Sequence, residues 1–211
     1  MSERFPIARS PIVPAEPVTV SDGWEISARR ATALLTLTDC TPLTKLQVRA
    51  PVFGKAETIL GVSFGRAARG ADGALIVGSA PGEWLLIGPP GRGQAIAARL
   101  VDLVARVPDE LVTFADLTHG RALTRLNGSS AAELLANICG ADLSDDMTPD
   151  GAALRSSVAA VATDIIRDDR DGVRSYLVHC ERSSGQYLFD ALLDAGSDFD
   201  TEIDGFRTPG I

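Results

Sequence analysis

Hydrophobic spacing names most of the elements in this chain. Leu46 and Val48 alternate with Lys45, Gln47 and Arg49, the two-residue period of a strand with one buried face. Residues Gly54 to Leu60 read as a short helix, with Gly61 placed to end it. Leu75-Ile76-Val77 and Trp84-Leu85-Leu86-Ile87 are apolar runs separated by Ser79-Ala80-Pro81-Gly82, which predicts two strands and a turn. Ile96, Leu100, Leu103, Val104 and Val107 then recur at helical spacing, so an amphipathic helix is predicted over 94–106.

The same order returns downstream. Leu123-Thr124-Arg125-Leu126 is strand-like. Ser130 and Glu133 have the spacing of a capping box, Leu134, Leu135 and Ile138 supply a buried stripe, and Gly140 closes the helix. Residues 152–166 are apolar and β-branched, either two short strands or one bent one. Asp171-Gly172 predicts a hairpin between Ile165-Ile166 and Tyr176-Leu177-Val178. Ser183 or Ser184 is placed to cap a last helix with the stripe Leu188, Ala191, Leu192 and Ala195.

Residue identities repeat as well as patterns. Asp39-Cys40-Thr41 and Leu43-Thr44-Lys45-Leu46 match Asp116-Leu117-Thr118 and Leu123-Thr124-Arg125-Leu126, at offsets of roughly 77 to 80 positions. The expected fold is therefore α+β, with two similar β-α-β-β-α halves packed together, over 31–110 and 111–196. Before them, Pro6, Pro11, Pro14 and Pro17 make 1–30 an extended arm, either disordered alone or laid across a neighbour. After them, 197–211 reads as an acidic tail: Asp190 to Ile211 carries six acids against one Arg.

Composition narrows the function. A net charge of −8 argues against nucleic acid or an anionic membrane as partner. No apolar run approaches the roughly 20 residues that span a bilayer. Met1 to Ser10 lack the apolar core of a secretory signal, and three widely spaced cysteines do not make a disulfide framework. The expected compartment is the cytoplasm.

Candidate chemistry is sparse. Asp116, His119 and Arg121 form the best local cluster: an Asp can orient an imidazole, and an Arg can hold a carboxylate or phosphate. The simpler reading is a polar turn with Asp116 bonded to the local backbone. His179 and Cys180 are adjacent, so on a strand they face opposite sides and cannot share a metal. Cys139 reads as a buried core thiol, and Asp142, Asp145, Asp146 and Asp150 as a solvated turn. Gly91-Arg92-Gly93 reads as a plain loop ahead of a helix. No catalytic, cofactor or metal residue is assigned.

Several segments together resemble a known family. Pro81-Gly82-Glu83-Trp84-Leu85-Leu86-Ile87-Gly88-Pro89 is similar to a G-P-D-E-W-L-L-L-G-P pattern. Asp116-Leu117-Thr118-His119-Gly120-Arg121, followed by Leu126-Asn127-Gly128, is similar to D-L-S-H-G-R with a later L-S-G. Cys139-Gly140-Ala141-Asp142-Leu143, with Pro149 and Gly151 beyond, is similar to C-A-L-D-L, and Arg9-Ser10-Pro11 to an R-S-P near the start. In order and spacing these resemble the gamma subunit of heterotetrameric sarcosine oxidase, well over 80–195 and loosely over 30–80. Ile138 stands where the family has a glycine, and the acidic 198–204 stretch matches no part of the pattern.

The resemblance implies a fold like the N-terminal part of the glycine-cleavage aminomethyltransferase. It implies a complex with alpha, beta and delta subunits that oxidises sarcosine to glycine and hydrogen peroxide, releasing the one-carbon unit as formaldehyde or passing it to tetrahydrofolate. FAD, FMN, NAD and tetrahydrofolate would sit on the partner chains. The gamma chain itself would be non-catalytic, with the arm and the turn at His119 and Arg121 as contacts. The alternative is a stand-alone folate-binding or aminomethyltransferase-like protein, disfavoured by scarce aromatics and by the missing K-G-C-Y-x-G-Q signature of folate-binding relatives.

Overall fold

The computed structural model describes residues 6–208, so the first five residues of the expected arm and the last three of the expected tail lie outside the described residues. The chain is α+β. Its strands are β1 (Ala8–Arg9), β2 (Val18–Ser21), β3 (Trp24–Ser27), β4 (Thr36–Asp39), β5 (Thr44–Arg49), β6 (Ala67–Arg69), β7 (Leu75–Ala80), β8 (Glu83–Gly88), β9 (Thr113–Asp116), β10 (Arg121–Asn127), β11 (Ala153–Val158), β12 (Val161–Arg167), β13 (Ser175–Glu181) and β14 (Glu202–Asp204). Its helices are α1 (Lys55–Leu60), α2 (Gly93–Arg106), α3 (Ala131–Ala136) and α4 (Gly185–Ala195). Among the described residues, no helix is long and apolar enough to cross a membrane.

One large sheet runs β6-β7-β8-β5-β9 and the other β11-β12-β13-β10-β4-β14. Both contain the same antiparallel run of four, ending on β5 in one and β10 in the other. Each then gains a strand from the opposite unit. β4 precedes β5 in the chain but pairs with β10, while β9 precedes β10 but pairs with β5.

The repeated Asp-x-Thr motif makes these crossovers. Asp39 Oδ1 accepts from Thr41 N at 2.9 Å, and Thr41 Oγ1 accepts from Leu123 N at 3.2 Å. Reciprocally, Asp116 Oδ1 accepts from Thr118 N at 2.8 Å, and Thr118 Oγ1 accepts from Lys45 N at 3.0 Å. Cys40 N and Leu117 N donate to the carbonyls of Leu123 and Lys45, completing the symmetry. A turn that bonds its own backbone thereby presents a hydroxyl to the first strand of the other unit.

Strand alternation sorts side chains into layers. Leu46, Val48, Trp84 and Leu86 face α1 and α2 across one apolar cluster, and Leu126, Tyr176 and Val178 face α3 and α4 across another. Between the sheets, Leu75, Val77, Leu85 and Ile87 meet Leu123, Ile166 and Leu177. The order is helices, sheet, sheet, helices. The half-buried reading of β5 holds at its C-terminal end, where Gln47 is half-buried and Arg49 exposed, but fails at Lys45, which is fully buried against the second sheet.

Other expectations need correction. Each unit has two strands more than β-α-β-β-α: the exchanged strand that opens it, β4 or β9, and a third strand between its helices. β6 is a three-residue strand of Ala67-Ala68-Arg69, too short and too small-sided to show a period. β11 and β12 are joined at Ala159-Ala160, both left-handed (φ 48° and 64°), a turn with no Gly or Asn to announce it. Ser130 and Ser184 occupy N-cap positions, but neither side chain makes a capping bond. The arm is not simply extended: β1, β3 and β2 form a small sheet, and Val13 N donates to Gln186 Oε1 at 2.7 Å. The tail is not a solvated end: β14 pairs in parallel with β4, and Phe206 is buried between the sheets. The acidic loop is tied down by Asp145, which pairs with Arg167 and Arg174 at 2.5 and 2.6 Å.

Candidate functional site

The residues Asp116, His119 and Arg121 lie close along the chain but do not converge. Asp116 ends β9, and its carboxylate holds its own turn and approaches Gly93 at the start of α2. His119 is exposed and stacks on the Trp24 indole, with ring centres 4.8 Å apart and planes 12° apart. Arg121 opens β10 and forms an ion pair with Glu181 directly across on β13. Among the described residues, no hydrogen bond or ion pair joins any two of the three. Asp116 shapes a turn, His119 covers an indole, and Arg121 pairs across two strands.

The charged groups that face inward lie between the sheets. Lys45 and Arg125 occupy equivalent places in the repeat, and both are buried. Lys45 Nζ donates to the carbonyls of Thr41 and Leu43, each at 2.7 Å. Burial pulls its ammonium down from 10.5 to about 7, against the opposing pull of Asp39. Burial also raises the Asp39 carboxyl above its ordinary value. Arg125 reaches Asp168 Oδ2 at 2.8 Å and Ser175 Oγ at 2.8 Å.

His179 is the third inward group. Its Nδ1 lies 3.3 Å from Asp164 Oδ2, while Nε2 has no partner among the described residues. Burial holds the imidazole below its ordinary value, so it is neutral at pH 7 and donates Nδ1–H to the carboxylate. Burial alone would raise Asp164, but bonds from His179 and Arg155 hold it below the usual carboxylate range. Arg155 Nε donates to Asp164 at 2.6 Å, and Arg155 also pairs with Glu83. These groups line a cleft of about 270 Å³. Cys180 faces the opposite side, into the α4 layer, as strand alternation requires, and Cys139 is buried in that same layer.

The inward face of β10 orders these features in space. Arg121 borders the His179 cleft, Leu123 sits in the apolar middle, and Arg125 holds the Asp168 cluster beyond it. Sequence reasoning missed Lys45, Arg125 and the His179–Asp164 pair. The available signal was the repeat itself, which sets one cation in the middle of Leu-Thr-Lys-Leu and one in Leu-Thr-Arg-Leu.

Comparison with known proteins now bears on this arrangement. No curated protein matches the sequence. A chain of the heterotetrameric sarcosine oxidase from Corynebacterium sp. U-96, solved in complex with pyrrole 2-carboxylate, is 25% identical with a TM-score of 0.66; the match covers 82% of this chain and 89% of that one. The glycine cleavage system aminomethyltransferase T from Bartonella henselae is 16% identical with a TM-score of 0.67. That match covers 89% of this chain and 55% of the enzyme, and it shows a shared fold. Residues 52–198, well over half the chain, match the sarcosine oxidase gamma subunit family. By that match this chain, with its crossed-over sheets and inward-facing cations, belongs to the sarcosine oxidase gamma subunit family.

Proposed function

We propose that this chain is the non-catalytic gamma subunit of a heterotetrameric sarcosine oxidase, assembled with alpha, beta and delta chains. Its role is to bury an interface and hold its partners in working geometry. FAD, FMN, NAD and tetrahydrofolate sit on those partners, which carry out the oxidative demethylation of sarcosine with release of hydrogen peroxide. Likeness along nearly the whole length to a chain of such an oxidase is the observation that carries this reading. The interior supports it: apolar side chains meet between the sheets, and Lys45 and Arg125 are held there by other groups of the same chain.

The surface supplies a contact. Phe53 is 92% exposed and left-handed (φ 61°), and Leu111 is 80% exposed. Glu110, next to Leu111, accepts from Lys55 N at 2.6 Å and Ala56 N at 3.2 Å at the start of α1, which brings the loops of Phe53 and Leu111 side by side. With Val52 they form an apolar outcrop of the kind that anchors interfaces. The turn at His119 and Arg121 is a second contact. The test is sarcosine oxidation by partner chains produced with and without this one. The expected result is full activity only in its presence and none from the isolated chain. Turnover by the isolated chain, or equal activity without it, refutes the proposal.

A further inference from the structure

The connection from β12 to β13 gathers three guanidinium groups around one carboxylate. Asp168 accepts from Arg69 Nη2 at 2.7 Å and Arg125 Nη2 at 2.8 Å, and lies 3.2 Å from Arg170 Nε. One negative charge does not balance three positive ones. Arg125 is fixed further by its Nη1, which donates to Ser175 Oγ at 2.8 Å and to the Asp168 carbonyl at 3.2 Å. Its Nε is enclosed without a hydrogen-bond partner among the described residues, so the side chain acts on the cavity through its charge.

Arg125 and Arg170 line one cavity of about 360 Å³, next to the Thr36 and Thr38 side chains of β4. Two acids also border it. Asp204 is paired with Arg207 at 3.1 Å, and Asp171 sits at the hairpin turn. Together with Arg69 and Asp168 behind the wall, the cluster holds four arginines against three aspartates, a local positive excess in a chain of net charge −8. Burial, then the charges of Arg125 and Arg69, push the Arg170 guanidinium below its ordinary value despite Asp168. An anion in the cavity would relieve that repulsion.

We propose that this cavity binds a small oxyanion, a carboxylate or a phosphate, seated on the Arg170 nitrogens not engaged by Asp168 and the Thr38 hydroxyl, in the positive field of Arg125. The site stands apart from the subunit role, because the isolated chain contains the whole of it. Binding would offset the excess positive charge around Asp168 and fix the C-terminal segment around Phe206, which borders the same cavity.

The test is calorimetric titration of the full chain with inorganic phosphate and, separately, with succinate, at fixed ionic strength in chloride. The expected result is saturable binding of one anion per chain, stronger for whichever class fits. Arg170→Ala should weaken it at least about tenfold, since charge-assisted bonds to a fork are the strong ones. Arg170→Lys should recover part of the affinity, and Arg99→Ala, which removes the remote partner of Asp72, should change nothing. If Arg170→Ala does not fold by circular dichroism, Arg170→Lys and Thr38→Val serve in its place, each expected to bind more weakly than wild type. No saturable binding of either anion at ~10 mM overturns the proposal, and so does equal weakening by Arg99→Ala.

Discussion

Replacing Lys45 by Met should remove a pH dependence of stability that the wild-type chain must show. The Lys45 ammonium ionises near 10.5 in the unfolded chain and about 7 in the fold, because burial penalises its charge. Between these values the unfolded chain holds a proton that the folded chain lacks. Stability therefore rises as pH rises through this range, and the cost of the buried charge is felt most below pH 7. From pH 7 to pH 9 the gain works out to about 2 kcal/mol for this one group. From about pH 8 upward the buried Cys40 and Cys180 thiols act in the opposite sense, since burial raises both from 9.0 to about 11 and the unfolded chain ionises first. By pH 9 they offset roughly 0.8 kcal/mol, equally in wild type and variant, so the difference between the two slopes is the observable. Met fills similar volume without titrating, but leaves the Thr41 and Leu43 carbonyls without the ammonium donor, so the absolute stability at pH 7 is the poorer observable. Urea unfolding followed by tryptophan fluorescence at pH 7, 8 and 9 gives the slope directly. Wild type should gain roughly 1.5 kcal/mol across the series and Lys45→Met should gain nothing, a difference of about 2 kcal/mol. A flat wild-type profile, or the same slope in both chains, refutes the reasoning.

Two further substitutions separate surface from core. Phe53→Ser removes an exposed side chain, so thermal unfolding of the isolated chain should shift by no more than about 0.5 kcal/mol, while co-purification with partner chains falls; unchanged recovery of the complex would contradict the contact assignment. Gly78→Ala places a Cβ 2.2 Å from the Ser63 carbonyl oxygen, where the 63–66 segment crosses β7, and denaturant unfolding should show a loss of about 2 kcal/mol or more; a neutral result would mean that the crossing is looser than that distance requires.

Much of the fold was legible because burial has a period. The α2 stripe of Ile96, Leu100, Leu103 and Val107 is buried as the spacing requires, and Gly61 ends α1 in the left-handed conformation (φ 69°), donating its N–H to Glu57. The Asp171-Gly172 turn is also as its chemistry dictates, with both residues left-handed. What stayed hidden lacks a local signature. The Ala159-Ala160 turn is imposed by the strands it joins, and β9 and β14 exist only because a distant strand offers an edge. Lys45 of β5 looked solvated, like Arg49 on the same face, because a strand cannot announce that a second sheet will cover one end of it. That same blindness concealed the inward-facing site: Lys45, Arg125 and His179 meet their partners only through packing between the sheets. The Asp116, His119 and Arg121 cluster was suggested by adjacency along the chain, but strand and turn geometry send the three side chains to different neighbours.

Native mass spectrometry of the chain produced together with the oxidase chains tests the subunit role most directly. A single species containing one copy of this chain and a flavin-bearing partner, dissociating when Phe53 is replaced by Ser, is the predicted result. A free monomer beside a fully assembled flavoprotein would contradict it.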